Sequence, residues 1–554
     1  MNCARARAAV APGPAAPPAL VAVDVHLPSP FRHPSVSTTV GAGAERAPWA
    51  WLAALGALSG ALSLWLGVDA LGGVPHVSDE QAYLLQARIF AEGERVAPAL
   101  RGLHSLLVYV RLAPEHYGVF PIGWPLVLSL GVLGGVPAAV NPVLSALVPL
   151  AGWHAFSREL GGRVALIAAA VLALSPGLVV LAGSMMSHTL TLLCTLGFMA
   201  LAPRRALLAS ACLGLLLLTR PFDFAVVGAP ALAWQLWNAR SALRGALPLL
   251  VGPFLALAIT AGDNHDRTGD AFTLPVSHYH ETPDETGARQ PPGCNQLGFG
   301  ADRGCFGERG HTPARALTQL GWQLDIFDRL FLGFRGSSVL VLVGAVLLSR
   351  RGRWEFLWPM VAVPLAYGLY WYAGIVYGAR FWTLVYVGAA PAAALALHAS
   401  AGALARRGLK LPWLPAVVLF AGLSALPALH AELSDRYMCV DPKRALALAD
   451  ADLGPGPVVL ADSGEFEGDS PLTIHGPVTC TGALASAGQL ASNDPFARPG
   501  PLYIRAAGPV PATLAAALKD HAGPAHLVLT DLTTGVWRIG DVDRASGTVH
   551  FREE

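Results

Sequence analysis

Charge is what this sequence is short of. Asp, Glu, Lys and Arg make up 14% of its 554 residues, where soluble domains carry about a quarter. With 53% hydrophobic residues and a mean hydropathy of +0.48, the shortage excludes an ordinary water-soluble enzyme and points to lipid. The formal net charge is only +1, so there is no basic excess to hold a nucleic-acid backbone, and no such partner is expected. Phosphate-loop, nucleophile-elbow and zinc-finger spacings are missing, as are an internal repeat and a sustained heptad. The glycines of Gly298-Phe-Gly300-Ala-Asp-Arg-Gly304 have the wrong spacing for a dinucleotide fingerprint. Residues 1–46, rich in Ala and Pro, lack the apolar core of a signal peptide. They read as a disordered cytoplasmic tail.

What the chain does have is a series of apolar runs, from 48–70 almost to residue 431, each near the roughly 20 residues a membrane helix needs. Basic hinges separate them: Arg158 and Arg163, Arg204 and Arg205, Arg240 and Arg244, Arg350, Arg351 and Arg353, then Arg406, Arg407 and Lys410. Positive loops stay in the cytoplasm, so the chain between two hinges crosses the membrane an even number of times. This parity places Ser184 to His188, Arg220 to Asp223, the loop 264–335 and Tyr377 to Arg380 on the outer side, and delivers 432–554 there after a last span at 411–431. Three apolar runs precede Arg158, one too many. The odd one is 119–136, whose Pro121, Gly123, Trp124 and Pro125 suit a re-entrant segment. The expected architecture is therefore an all-α polytopic membrane protein of about eleven helices over 47–431, with its first external loop at 71–118.

Cysteines agree with this topology, since Cys294 and Cys305 fall in the long external loop and Cys439 and Cys480 in the external tail. Two disulfides, Cys294 to Cys305 and Cys439 to Cys480, are expected in an oxidising compartment. The tail 432–554 reads as a small α/β domain, with helices at 444–453 and 512–519 and strands at 457–461, 502–504, 526–529 and 535–539.

The segment richest in chemistry is His76-Val-Ser-Asp-Glu-Gln-Ala-Tyr83 and its continuation to Gly93, just after the first span. Ser78 and Gln81 match a capping box, which would open a short helix with Asp79 and Glu80 in its first turn. Taken alone, such acids are explained by the helix macrodipole. The order of motifs adds more. Asp79-Glu80 with Tyr83, His116-Tyr-Gly-Val-Phe-Pro-Ile-Gly-Trp-Pro125, Leu218-Thr-Arg-Pro221 and Tyr377-Gly-Ala-Arg-Phe381 together resemble the membrane glycosyltransferases of superfamily C, especially protein O-mannosyltransferases and lipid A aminoarabinose transferases, over roughly residues 48–400.

That resemblance implies a hexosyl- or pentosyl-type transferase that moves a sugar from a polyprenyl-phosphate carrier to a hydroxyl of a protein, lipid or glycan, by inversion, on the outer face of the cytoplasmic membrane. It implies Asp79 as the base that takes the acceptor proton, with Glu80 orienting substrate or pairing a cation. Arg380 and Arg220, with Tyr377, are the expected phosphate-binding residues, because a guanidinium matches phosphate oxygens with a two-pronged fork. Tyr83, Tyr117, Trp124 and His188 are the expected substrate-pocket residues. His188 stands where related transferases can carry an acid, and as a residue at a helix start it is expected to be hydrogen-bonded. His265, Asp266, His278, His280, Asp284, Glu285 and His311 are metal-ligand types in one polar loop, yet their spacing singles out no site, and no cofactor is expected. The competing reading is a transporter or lipid translocase. It predicts related halves and charges near the membrane midplane, whereas the charges here gather on one side.

Overall fold

The computed structural model describes residues 47–434, apart from 99–108, 112–113, 240–245, 284–295, 305–309 and 373–375, and beyond 434 the backbone of five strands. The expected tail at 1–46, both disulfides, and Asp284 and Glu285 lie outside the described residues.

The membrane region is helical. Its first half comprises α1 (Trp49–Trp65), α2 (Ser78–Ala91), α3 (Gly123–Leu133), α4 (Val140–Leu160), α5 (Gly162–Leu174), α6 (Pro176–Gly183), α7 (His188–Leu201), α8 (Ala206–Thr219) and α9 (Ala229–Asn238). The second half comprises α10 (Val251–Thr268), α11 (Pro275–Glu281), α12 (Pro313–Phe331), α13 (Ser337–Arg350), α14 (Trp354–Tyr367), α15 (Tyr386–Arg406), α16 (Leu414–Leu423) and α17 (Leu426–Ser434). The protein is thus a multi-pass membrane protein.

Among the described residues five helices are long and apolar enough to cross a membrane alone, and a sixth span forms if α5 and α6, bent by 49° at Ser175-Pro176, count as one. Four further apolar helices among the described residues, α3, α7, α8 and α13, are each shorter than a full span, as proline and glycine shorten apolar helices. Helix α8 ends at Arg220-Pro221, the point expected to be a turn, and the chain continues through a π-helical turn, Phe224–Gly228, into α9. The segment expected to be re-entrant holds only the 11-residue α3, roughly half the length a span needs.

Helix α15 is the hub. Every residue from Tyr386 to Leu397 is buried, as befits a helix that is apolar all round, and it packs on α5, α13 and α14. Small residues make this possible: a Cβ on Gly388 would lie 2.0 Å from the Phe356 carbonyl oxygen of α14. Such close backbone approach drives helix association where lipid removes the hydrophobic incentive.

At one end of the bundle the chain between α2 and α3 forms a small sheet, β1 (Ala97–Pro98), β2 (Val110–Arg111) and β3 (Glu115–Gly118), with β3 in the centre and both pairings antiparallel. The tail contributes β4 (Pro457–Ser463), β5 (Leu502–Ala507), β6 (His526–Asp531), β7 (Trp537–Val542) and β8 (Val549–Phe551). Their order is β5-β4-β6-β7-β8, parallel from β5 to β6 and antiparallel thereafter. Four of these strands were legible in the sequence, and the helices expected at 444–453 and 512–519 lie outside the described residues.

Candidate active site

The loops at the β1–β3 end are clamped together. Arg267, near the end of α10, is buried, pairs with Asp263, and donates to the carbonyls of Gly118 at 2.6 Å and Phe120 at 3.3 Å. Its guanidinium lies 5.7 Å from the centre of the Tyr117 ring, and the Tyr117 hydroxyl donates to the Arg267 carbonyl at 2.6 Å. Arg111 donates to the Thr282 carbonyl at 2.6 Å, Tyr109 N–H to the Tyr279 hydroxyl at 3.2 Å, and Arg95 pairs with Asp266. Tyr117, expected to line a substrate pocket, is therefore part of the clamp. Trp124 is fully buried with its indole N–H on the Met185 carbonyl at 2.8 Å; it is a core residue, because an indole at that depth needs an internal acceptor.

Helix α2 starts at Ser78, one residue earlier than the capping pair in the sequence implied. Val77 is the cap position, and Glu80 closes the turn by accepting the Val77 N–H at 3.2 Å. The two acids then part company, as consecutive helical residues point about 100° from each other. Glu80 turns inward. It accepts from His76 N–H at 2.8 Å, Met185 N–H at 2.7 Å and the Tyr377 hydroxyl at 2.9 Å as well. Burial raises its carboxyl above the ordinary range, against the lowering effect of His76 and of the donors from His76, Met185 and Tyr377. Glu80, expected to orient substrate or pair a cation, and Tyr377, expected at the phosphate, tie the α2 start to the turns before α7 and α15.

Asp79 turns the other way and meets Arg380, Nη1 to Oδ2 at 3.2 Å, with side chains 21% and 13% exposed. Arg380 follows two left-handed residues, Tyr377 (φ 55°) and Gly378 (φ 74°). A tyrosine in that region is strained, as happens where surrounding contacts dictate the backbone; here the Glu80 hydrogen bond and burial hold it. The Arg380 guanidinium lies 5.0 Å from the Phe381 ring centre, and its buried Nε has no hydrogen-bond partner among the described residues.

Around this pair stand aromatic rings. Tyr83 lies 4.9 Å from Phe120, and Phe120 lies 5.1 Å from Tyr109. On the other side Tyr367, Tyr372 and Tyr370 lie 5.0, 5.0 and 5.8 Å from Phe381. Burial and then the Asp79 charge push the hydroxyls of Tyr83 and Tyr370 up to about 12, so both remain neutral phenols. Arg220 pairs with Asp223 and donates to the Tyr367 hydroxyl at 2.6 Å, while that hydroxyl donates to Asp223 at 2.7 Å. Its charge is thus balanced within the protein. His188 is buried, 6.4 Å from Phe381 between ring centres, and neither ring nitrogen has a hydrogen-bond partner among the described residues. The hydrogen-bonded histidine expected at this helix start is therefore not what the structure holds.

No family model matches the chain, and no curated protein does. Among solved structures it is similar to ArnT from Cupriavidus metallidurans, bound to undecaprenyl phosphate and in the apo state. Identity is 15%, coverage is 87% of this chain and 93% of that one, and the TM-score is 0.49. It is also similar to the oligosaccharyltransferase of Archaeoglobus fulgidus tethered with an acceptor peptide, at 13% identity over 71% of this chain and 55% of that one, with a TM-score of 0.39. Both are membrane glycosyltransferases of superfamily C. At this distance residue roles rest on the geometry of the chain itself.

Among the described residues no three His, Cys, Asp or Glu side chains come together as a metal site. Of the ligand types in the long loop, Asp266 pairs with Arg95, and His311 Nε2 meets the Gly368 carbonyl at 3.0 Å. Sequence reasoning missed Tyr109, Asp223, Tyr367 and Tyr370. Asp223 alone carried a signal, three residues after Arg220 on a short helical turn.

Proposed function

We propose that this chain is a glycosyltransferase that takes a sugar from a polyprenyl-phosphate carrier and transfers it, with inversion, to a hydroxyl on the outer face of the membrane. The observation that carries the reading is the Asp79–Arg380 pair at 3.2 Å, a carboxylate and a cation set among aromatic rings at the loop-covered end of an apolar bundle. The motif resemblance between residues 48 and 400 supports it.

The chemistry asks for these two charges. An acceptor oxygen attacks the anomeric carbon, the bond from that carbon to the phosphate oxygen breaks, and its electron pair stays on the phosphate. Asp79 takes the acceptor proton as the new bond forms. Arg380 faces the phosphate with its unpaired Nε–H and strengthens its contact as negative charge builds there. Asp79 is restrained by its partner until the acceptor arrives, which keeps base and phosphate cation in one frame. Phenol and phenyl faces of Tyr83, Tyr109, Phe120 and Phe381 suit the apolar faces of a sugar, and the tyrosine hydroxyls remain donors. Arg220 keeps the Phe381 side in place through Asp223 and Tyr367 and adds positive field.

The test is turnover of a panel of undecaprenyl-phosphate-linked hexoses and pentoses by the purified protein in lipid nanodiscs, with membrane lipid and peptide extracts as acceptors. Release of undecaprenyl phosphate that depends on the extract is expected. Folded protein that releases none from any donor, and binds none, would sink the reading.

A further inference from the structure

The turn before His188 is held rigidly, although the side chain has no hydrogen-bond partner among the described residues. The turn before it is fixed from three sides: Glu80 accepts the Met185 N–H at 2.7 Å, Trp124 donates to the Met185 carbonyl at 2.8 Å, and Asn141 donates to the carbonyls of Ser184 at 2.6 Å and Met186 at 2.7 Å. Met186 in turn touches Arg380, Sδ to Nη1 at 4.0 Å. The imidazole is 2% exposed, and both its nitrogens lack partners among the described residues. The charges that face it are the guanidiniums of Arg220 and Arg380. A buried polar group left unsatisfied is destabilising, so a rigid frame that keeps one beside the site calls for a ligand atom.

The ligand chemistry follows from the neighbours. Arg380 Nε–H is also buried without an acceptor, and imidazole in any protonation state carries at least one N–H. Both unmet donors neighbour Phe381, with the Arg380 guanidinium 5.0 Å and the His188 ring 6.4 Å from its centre, and they match a group that only accepts. Once Asp79 leaves Arg380 to take the acceptor proton, that guanidinium needs an anionic partner, which a phosphodiester supplies and a sugar hydroxyl does not. We infer that His188 is a phosphate-binding residue, donating an imidazole N–H to a non-bridging oxygen of the lipid carrier's phosphate while Arg380 takes another. The inference rests on the glycosyltransferase reading and adds the group that positions the donor.

The experiment measures binding of undecaprenyl phosphate, which has no sugar, to wild type and to His188→Phe, His188→Gln, His188→Met and Arg380→Ala in nanodiscs, with undecaprenol as the phosphate-free control. His188→Phe removes no existing hydrogen bond, so its melting temperature without ligand should equal or exceed that of wild type, and its affinity should fall about tenfold or more. His188→Gln, which keeps an N–H, should recover part of that loss, and undecaprenol should not tell the variants apart. If His188→Phe does not fold, Gln against Met makes the same comparison. Equal affinity of His188→Phe and wild type, or of the Gln and Met variants, overturns the inference. Should Arg380→Ala lose binding while His188→Phe keeps it, only the role of His188 falls. Should wild type itself bind no undecaprenyl phosphate, the donor reading falls with it.

Discussion

Asp79, at the start of the loop helix α2, and Arg380, on the threshold of the most buried helix α15, place carboxylate against guanidinium at 3.2 Å. The neighbouring acid Glu80 is bound to four donors and has no such freedom. The same pair of elements is therefore joined twice, once by a buried tie and once by an ion pair that a substrate can open.

If Asp79 accepts the proton, Asp79→Asn retains donor binding and turns over at least about 100-fold slower. Arg380→Ala weakens both binding and rate, and Arg380→Lys restores only part, since an ammonium returns the charge without the fork. Steady-state turnover with a bound-donor assay separates these. Full transfer by Asp79→Asn would exclude it as the base.

Glu80 gives a pH signature. Its carboxyl is raised above the ordinary 4.5 by burial, so the folded state holds its proton over a range where the unfolded chain has lost it. Its contribution is full below about 4.5 and declines as pH rises through the folded value. The melting temperature of wild type minus that of Glu80→Gln, followed upward from pH 4, should therefore fall. A difference that rises over that range contradicts the assignment. Glu80→Ala should be strongly destabilised, at about 1–3 kcal/mol for each donor it leaves buried.

Gly123 is the contact between α3 and the end of α8. A Cβ there would lie 2.5 Å from Thr219 Oγ1 and 2.6 Å from the Leu218 carbonyl carbon, directly before Arg220. Gly123→Ala should cost about 1–3 kcal/mol and slow turnover by shifting Arg220. Gly262→Ala, where an added Cβ meets nothing within 4 Å, is the control and should melt no lower than wild type. Equal melting of the two variants would mean that α3 is not fixed against α8.

Asp223 neutralises Arg220 in a setting where their side chains are 6% and 16% exposed. Asp223→Ala should therefore destabilise by about 3–5 kcal/mol, because it leaves a buried charge without its partner. Tyr367→Phe, which loses one hydroxyl from the same triangle, should cost only about 0.5–1.5 kcal/mol. Chemical denaturation of the two variants gives the ranking, and a costlier Tyr367→Phe would reverse it.

The outward orientation can be read from Phe272, 91% exposed between α10 and α11. Phe272→Cys in intact cells should react with a membrane-impermeant maleimide well above the background of the parent protein. Labelling only after the membrane is broken would put the loops, and the proposed site with them, on the cytoplasmic side.

The sequence by itself determined that the chain is a multi-pass membrane protein, since scarcity of charge and runs of apolar residues leave the backbone no option but helices in lipid. It also singled out Asp79, Arg220 and Arg380, through an order of motifs that resembles superfamily C. It marked 119–136 as too broken to span, by its prolines and glycine. What each of the two adjacent acids meets was decided only in three dimensions: a rotation of about 100° sends Glu80 to Met185 and Tyr377 and Asp79 to Arg380, and those partners come from elements far apart in the chain. The same holds for Tyr117 and Trp124, whose types suit a sugar pocket and whose hydrogen bonds place them in a clamp and a core. His188 shows the converse. Its residue type promised a bonded helix start, and only the packing around it revealed two nitrogens without a partner among the described residues.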